Sequence, residues 1–153
     1  MRNFDNALKN EISKNGIISY ELAKDRDDTE KILNSWDTNA KINAGLSLGF
    51  DFLFLLVYSG FIAVLIFNIN NRLWQNSSFH KFGKFLIALI FLAAFFDIVE
   101  NIALIRLLTG NLKQVWSSIS YYFALMKFAI VLICISYLLV NWLLLFFKKE
   151  QHN

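Results

Sequence analysis

The sequence predicts an all-α fold: a membrane helical bundle of three transmembrane helices behind an N-terminal amphipathic, juxtamembrane helix. Two observations of composition lead there. Of 153 residues, 56% are hydrophobic, 16% aromatic and 18% charged, a balance far from that of a disordered chain. Fifteen of the 27 charged side chains fall in residues 1–45, and only 12 are spread over the remaining 108 positions. The third observation is that apolar runs in this second part are too continuous for a water-soluble core and have the length of membrane spans. The organisation that follows is a polar region 1–45, a three-span bundle 46–147 and a short tail 148–153. The length fits one domain.

Residues 1–15 mix Arg2, Asp5, Lys9, Glu11 and Lys14 without an apolar h-region. A secretory leader is not expected there, and the first span should act as the insertion signal. Asp27-Asp28-Thr29-Glu30 has the pattern of a helix cap with an acidic first turn. Ile32, Leu33, Trp36 and Ala40 then recur at helical spacing, predicting an amphipathic helix that lies at the membrane surface or leads straight into the first span. Three spans follow at about 46–67, 85–108 and 116–147. A helix rising ~1.5 Å per residue crosses ~30 Å of hydrocarbon in roughly 20 residues. The first two runs fit that length. The third is overlong, so Trp116 to Tyr122 are expected at the interface, or the helix tilts; no turn signal divides it in two.

With no proline in the chain, continuous helices are expected. The connections are read as Asn68 to Lys84 and Thr109 to Val115, the latter opened by Gly110-Asn111. Short loops make neighbouring helices antiparallel. Gly45-x-x-x-Gly49 and Ser59-x-x-x-Ala63 are small-residue pairs that admit close helix approach. Trp36, Trp74, Trp116 and Trp142 are expected in the interfacial belts, and the sixteen phenylalanines read as filling and lipid-facing surface. Lys and Arg counts on the two faces are nearly equal; a cytoplasmic N-terminus is favoured because the alternative exports a charged 45-residue segment.

Four ionisable side chains fall inside the spans: Asp51, Asp97, Glu100 and Lys127. Charges at such depth usually face protein and find partners. Measured down from the N-terminal face of three antiparallel spans, Asp51 lies about five residues deep, Glu100 about eight, Asp97 about eleven and Lys127 about four to eleven. All four therefore share one half of the bilayer. Their helical phase agrees: Asp97, Glu100, Asn101 and Leu104 form one stripe, Ser120, Lys127, Cys134 and Asn141 another, and Asp51 with Tyr58 a third. Arg106 points away from Asp97 and is expected to snorkel to the interface. Turning the three stripes inward makes Asp51, Tyr58, Asp97, Glu100, Asn101 and Lys127 the candidate site. One lysine cannot neutralise three carboxylates away from water, so an acid must hold a proton or the cluster must attract a cation, water or an amine.

The order of several motifs resembles an uncharacterised family of small bacterial integral membrane proteins. The motifs are Gly16-Ile17-Ile18-Ser19-Tyr20-Glu21-Leu22-Ala23, Ile32-Leu33-x-x-Trp36, and Leu48-Gly49-x-Asp51-Phe52-Leu53-Phe54 with Tyr58. Asp97-x-x-Glu100-Asn101 and Lys127-Phe128 complete the set, which covers about residues 15–130. The resemblance implies the fold, a bacterial inner-membrane location, attention to Asp51, Asp97, Glu100, Asn101 and Lys127, and an ordered element at 16–23. It supplies no reaction. A more distant similarity is to the sterol isomerase and sigma-2 receptor superfamily, whose members hold cationic, sterol-like ligands with acidic residues in a small helical bundle. That fold has four or more spans, and no residue is carried over from it.

Several chemistries have no support in the residues. His80, expected in a loop, and His152, in the tail, lie far from the acids, and the single Cys134 sits inside a span, so no metal or haem set is expected. No phosphate-binding glycine pattern occurs. Ser120 and Lys127 are two helical turns apart, ~10 Å, too far for direct proton transfer. A net charge of +3 gives no case for nucleic acid. No cofactor is called for, and the partners to expect are membrane lipids, a second copy or another membrane subunit. The reading is thus a non-enzymatic membrane protein whose buried acid–lysine cluster serves bundle stability or assembly. A proton- or cation-coupled transport subunit, and a protein that binds or processes a lipid or sterol-like amine, are the alternatives.

Overall fold

A computed structural model describes residues 5–75 and 77–150; Arg2, His152 and the last residues of the tail lie outside them. Among the described residues the helices are, in order, α1 (Ile17–Glu21), α2 (Arg26–Ser35), α3 (Thr38–Trp74), α4 (Phe79–Leu108) and α5 (Gln114–Glu150). The last three are long and apolar enough to cross a membrane. They run up, down and up. α4 packs along both α3 and α5, which touch each other far less. The outward faces are apolar: Leu53, Leu56, Val57, Phe61 and Leu132 are each more than 60% exposed, a surface that water would penalise and acyl chains would not.

α3 starts at the Asp37 cap and α4 ends at Thr109, whose N–H bonds back to Ile105 O, and all three spans overrun the apolar windows. The stretch 68–84, read from its polarity as a loop, instead holds the last two turns of α3, to Trp74, and the first turns of α4, from Phe79. Side chains hold these turns together. Asn70 donates to the carbonyl of His80 at 3.0 Å, and its Oδ1 accepts from the Tyr137 hydroxyl at 3.4 Å. α4 passes so close that a Cβ on Gly83 would overlap the Asn70 amide. His80 is therefore in a helix and not in a loop. At the other end Gly110, with φ at +95°, takes the left-handed conformation that closes α4 and turns the chain into α5.

The cap before the spans also differs from expectation. Asp25, two residues upstream of the anticipated cap, accepts from Asp28 N–H at 2.8 Å, with Asp27 and Asp28 supplying the acidic first turn of α2. Trp36 is extended, and Asp37 starts a fresh helix by accepting from Ala40 N–H at 2.7 Å. The stripe Ile32, Leu33, Trp36, Ala40 thus belongs to two helices meeting at a corner, although all four residues are buried.

Residues 5–36 fold into a cap over the end of the bundle at which α3 begins. Asp5 accepts from Ile17 N–H at 3.1 Å and pairs with Lys9 at 2.9 Å. Burial pushes its carboxyl up, but those two partners outweigh burial and hold it below the usual range. Gly16 (φ +59°) lies against Asp5, where a side chain would have no room. Leu8, Tyr20, Ala23, Ile32, Leu33 and Trp36 form one core with Ala40, Ala44 and Leu48 of α3 and Leu104 and Leu107 of α4. The Tyr20 hydroxyl donates to the Leu104 carbonyl at 2.9 Å, and burial pushes that phenol's pKa up. Trp36 is 3% exposed and donates to Leu8 O and Ser13 Oγ, each at 3.0 Å. It is a core residue of the cap and not a belt residue. Trp74 donates to Asn141 Oδ1 at 2.6 Å, and Trp116 is half-buried against the cap core. Trp142 is 59% exposed, as a belt position requires.

Trp36 joins three parts of the cap through packing and two hydrogen bonds. Trp36→Ala is expected to cost about 3–5 kcal/mol and to loosen residues 5–36 from the bundle. Limited proteolysis in detergent should then cut within 5–36 while leaving a stable fragment that holds α3 to α5.

Candidate functional site

Three adjacent positions on α4 supply the centre of the site, because residues at i, i+3 and i+4 share one helix face. Asp97, Glu100 and Asn101 are 2%, 0% and 0% exposed. Ala93 and Ala94, one turn earlier, are also buried; their small side chains let the neighbouring helices come close. From α5, Lys127 reaches across to Asp97 Oδ1 at 2.9 Å and Glu100 Oε2 at 2.7 Å. Its ammonium also lies 4.8 Å from the ring centroid of Phe128. From α3, Tyr58 donates to Asp97 Oδ2 at 3.1 Å, and Asp51 Oδ2 accepts from Asn101 Nδ2 at 2.8 Å. All six candidate residues are joined in one set that ties the three long helices together. Arg106 is exposed and outside it.

The other stripe residues are buried too. Ser120, Cys134 and Asn141 lie on the inward face of α5 with Lys127. Each has a partner: Ser120 donates to the Ser117 carbonyl at 3.0 Å and Asn141 to Tyr137 O at 2.8 Å within α5, while Cys134 Sγ lies 3.8 Å from the Leu86 carbonyl of α4. They pack the bundle. Ser59 and Ala63 are also buried in it, whereas a Cβ on Gly49 would meet nothing within 4 Å, so that glycine mediates no close contact.

One acidic side chain escaped the sequence reading. Glu21, at the end of α1, is nine-tenths buried and has no hydrogen-bond or ion-pair partner among the described residues. Burial raises its pKa to about 7; Lys127 pulls the other way, and the charges of Asp51, Asp97 and Asp5 add to the rise. Counting charge inside the apolar windows could not find it, since Glu21 arrives with the cap. The motif Gly16–Ala23 contained it and implied an ordered element there, and a helix does occupy 17–21.

The cluster borders a cavity of about 580 Å³ between α3 and α5. Asp51, Tyr58, Asp97 and Lys127 form its floor, Ile17, Ile18, Glu21 and Asp5 close the capped end, and Leu48, Phe54, Ile62, Phe128, Val131 and Ile135 wall it. Phe54, Phe128 and Ile135 are 51%, 42% and 40% exposed, so the cavity is a groove open to the side of the bundle. Glu100 Oε1 and Asn101 Oδ1, behind the floor, have no hydrogen-bond partner among the described residues. Also among those residues, no group of three or more His, Cys, Asp and Glu is placed to hold a metal ion. His80 lies 17 residues from Asp97 on α4, ~25 Å along the axis.

No family model, curated protein or solved structure matches this chain.

Two outcomes follow from the electrostatics. Lys127→Met leaves two acids buried without their cation and is expected to destabilise the bundle by about 3–5 kcal/mol. Adding Asp97→Asn and Glu100→Gln should restore part of that loss, as read by thermal unfolding in detergent. Glu21 binds its proton more tightly folded than unfolded, so its contribution is present below pH 4.5 and lost as pH rises through about 7. That loss is roughly 3 kcal/mol by linkage. Wild type minus Glu21→Gln should therefore show stability falling between those pH values, and a flat difference would contradict the burial.

Proposed function

We propose that this chain is a multi-pass protein of a bacterial inner membrane that takes a lipid or sterol-like amine from the bilayer into the groove between α3 and α5. The observation that carries the reading is the placement of the acidic cluster at the floor of a laterally open, apolar-walled groove. A purely structural ionic cluster gains most from being enclosed, because every exposed carboxylate oxygen weakens its pairing. Here Asp51 and Tyr58 stay half-buried and face the groove. The walls suit an acyl or sterol body and the floor suits a cationic head, the division of labour of a small-molecule site.

Stabilising the bundle is the second role of the same residues, favoured by the Lys127 pairs to Asp97 and Glu100. The two roles are compatible. Lys127 holds α5 to α4, while Asp51, at the groove side, is bonded only to Asn101 among the described residues. A cytoplasmic N-terminus is supported by the cap itself, a charge-rich segment folded against one end of the spans.

Filling the groove should remove binding without disturbing the cluster. In lipid nanodiscs with dodecylamine as the probe, native mass spectrometry is expected to show a saturable adduct on the wild type. Val131→Trp should reduce it about tenfold or more, the loss expected when a preformed pocket is occluded, with an unchanged unfolding temperature. Absence of a saturable adduct on the wild type, or an adduct indifferent to Val131→Trp, rejects the reading.

A further inference from the structure

We infer that the head group seated in this groove is an ammonium that carries N–H bonds, held between Glu21 of α1 and Asp51 of α3, in preference to a quaternary ammonium or a neutral alcohol. The inference rests on the amphiphile reading above and names the chemistry of its ligand. Lys127 is already committed: its ammonium is within 2.9 Å of Asp97 and 2.7 Å of Glu100. Asp5 at the groove's end is paired with Lys9. Two carboxylates lining the groove, Glu21 at its capped end and Asp51 on its floor, have no ion-pair partner among the described residues. Asp51 spends one oxygen on Asn101. Glu21 is 9% exposed, lines the groove and has no partner among the described residues.

An ionised carboxylate can only accept hydrogen bonds, and a buried one without a donor is strongly disfavoured. The missing complement is thus a group that brings both positive charge and donors. A protonated primary or secondary amine supplies both. A quaternary ammonium supplies charge without donors, and an alcohol supplies one donor without charge. The apolar walls beyond the floor then take the ligand's chain, with Phe54 and Val131 on opposite helices.

A dependence on pH comes with this seat. The charged groups that act on Glu21 are Asp5 from the cap, Asp51 from α3, Asp97 and Glu100 from α4, and Lys127 from α5, and the Tyr58 hydroxyl lines the same groove. Burial leaves Glu21 half-protonated near pH 7, whereas an alkylamine stays charged to about pH 10. Proton and ligand therefore compete for the same carboxylate, and affinity for the amine should fall about tenfold between pH 8 and pH 6.

The test uses the full-length protein in nanodiscs and three probes with one chain length: dodecylamine, dodecyltrimethylammonium and dodecanol. Binding sensitive to Val131→Trp is expected to be strongest for dodecylamine, by about tenfold or more over the other two, the margin typical of sites with buried acceptors. It should weaken from pH 8 to pH 6, and Glu21→Gln should flatten that profile and abolish the preference for the amine. Equal groove binding of dodecylamine and dodecyltrimethylammonium by the wild type overturns the inference and leaves the amphiphile reading standing. So does an unchanged preference in a folded Glu21→Gln. If Glu21→Gln does not fold, the probe series and pH profile of the wild type decide the matter alone. No groove binding of any probe overturns both.

Discussion

The arrangement depends on one ammonium. Lys127 sits where water is scarce and touches two carboxylates of the neighbouring helix, one helical turn apart. Neither partner could be there as an ion without it, nor it without them, because an isolated charge in such surroundings costs several kcal/mol while a matched set recovers much of that. The geometry is restrictive. Asp97 and Glu100 must share a face of α4, α5 must place Lys127 at their depth, and the two axes must be close. Once these conditions hold, α4 becomes the common wall of the bundle and α3 attaches to it through Asp51 and Tyr58.

The cap adds a different kind of constraint. Its core is built from Leu8, Tyr20, Trp36 and the first and last turns of the neighbouring spans. The end of the bundle at the cap is thus held by an apolar core that joins the cap to α3 and α4, and the middle by charge pairing. Glu21 lies at the junction, carried by a helix of five residues into a place that the membrane-spanning helices alone would leave open.

Much of this was legible in the chain. Apolar run length gave three spans, and heptad spacing on α5 (Ser120, Lys127, Cys134, Asn141) identified a face that is buried throughout. Comparing depths brought Asp51, Asp97, Glu100 and Lys127 to one level, and those residues do meet. Helix ends were less legible. Hydropathy marks where hydrocarbon is tolerated and not where hydrogen bonding stops, so Asn70 and His80 read as loop although they secure two helix ends. Trp36 was misplaced because an indole fits an interface and a core equally well, and only its two acceptors distinguish them. Glu21 was beyond local patterns: its burial is created by contacts with residues far along the chain.

The far end of the bundle behaves differently from the capped end. There α3 and α5 bond directly to each other, through Tyr137 to Asn70 and Trp74 to Asn141. Near the groove they are connected by way of α4. A pair of rods pinned at one end and spaced at the other resembles a clothes-peg, with its spring at the Asn70 side. Any widening that admits a bulky visitor must then be a pivot about that pin, and its amplitude is greatest beside the N-terminal segment. The cap, which closes that end of the groove through Asp5, Ile17, Ile18 and Glu21, is therefore placed where the jaw's width would change most.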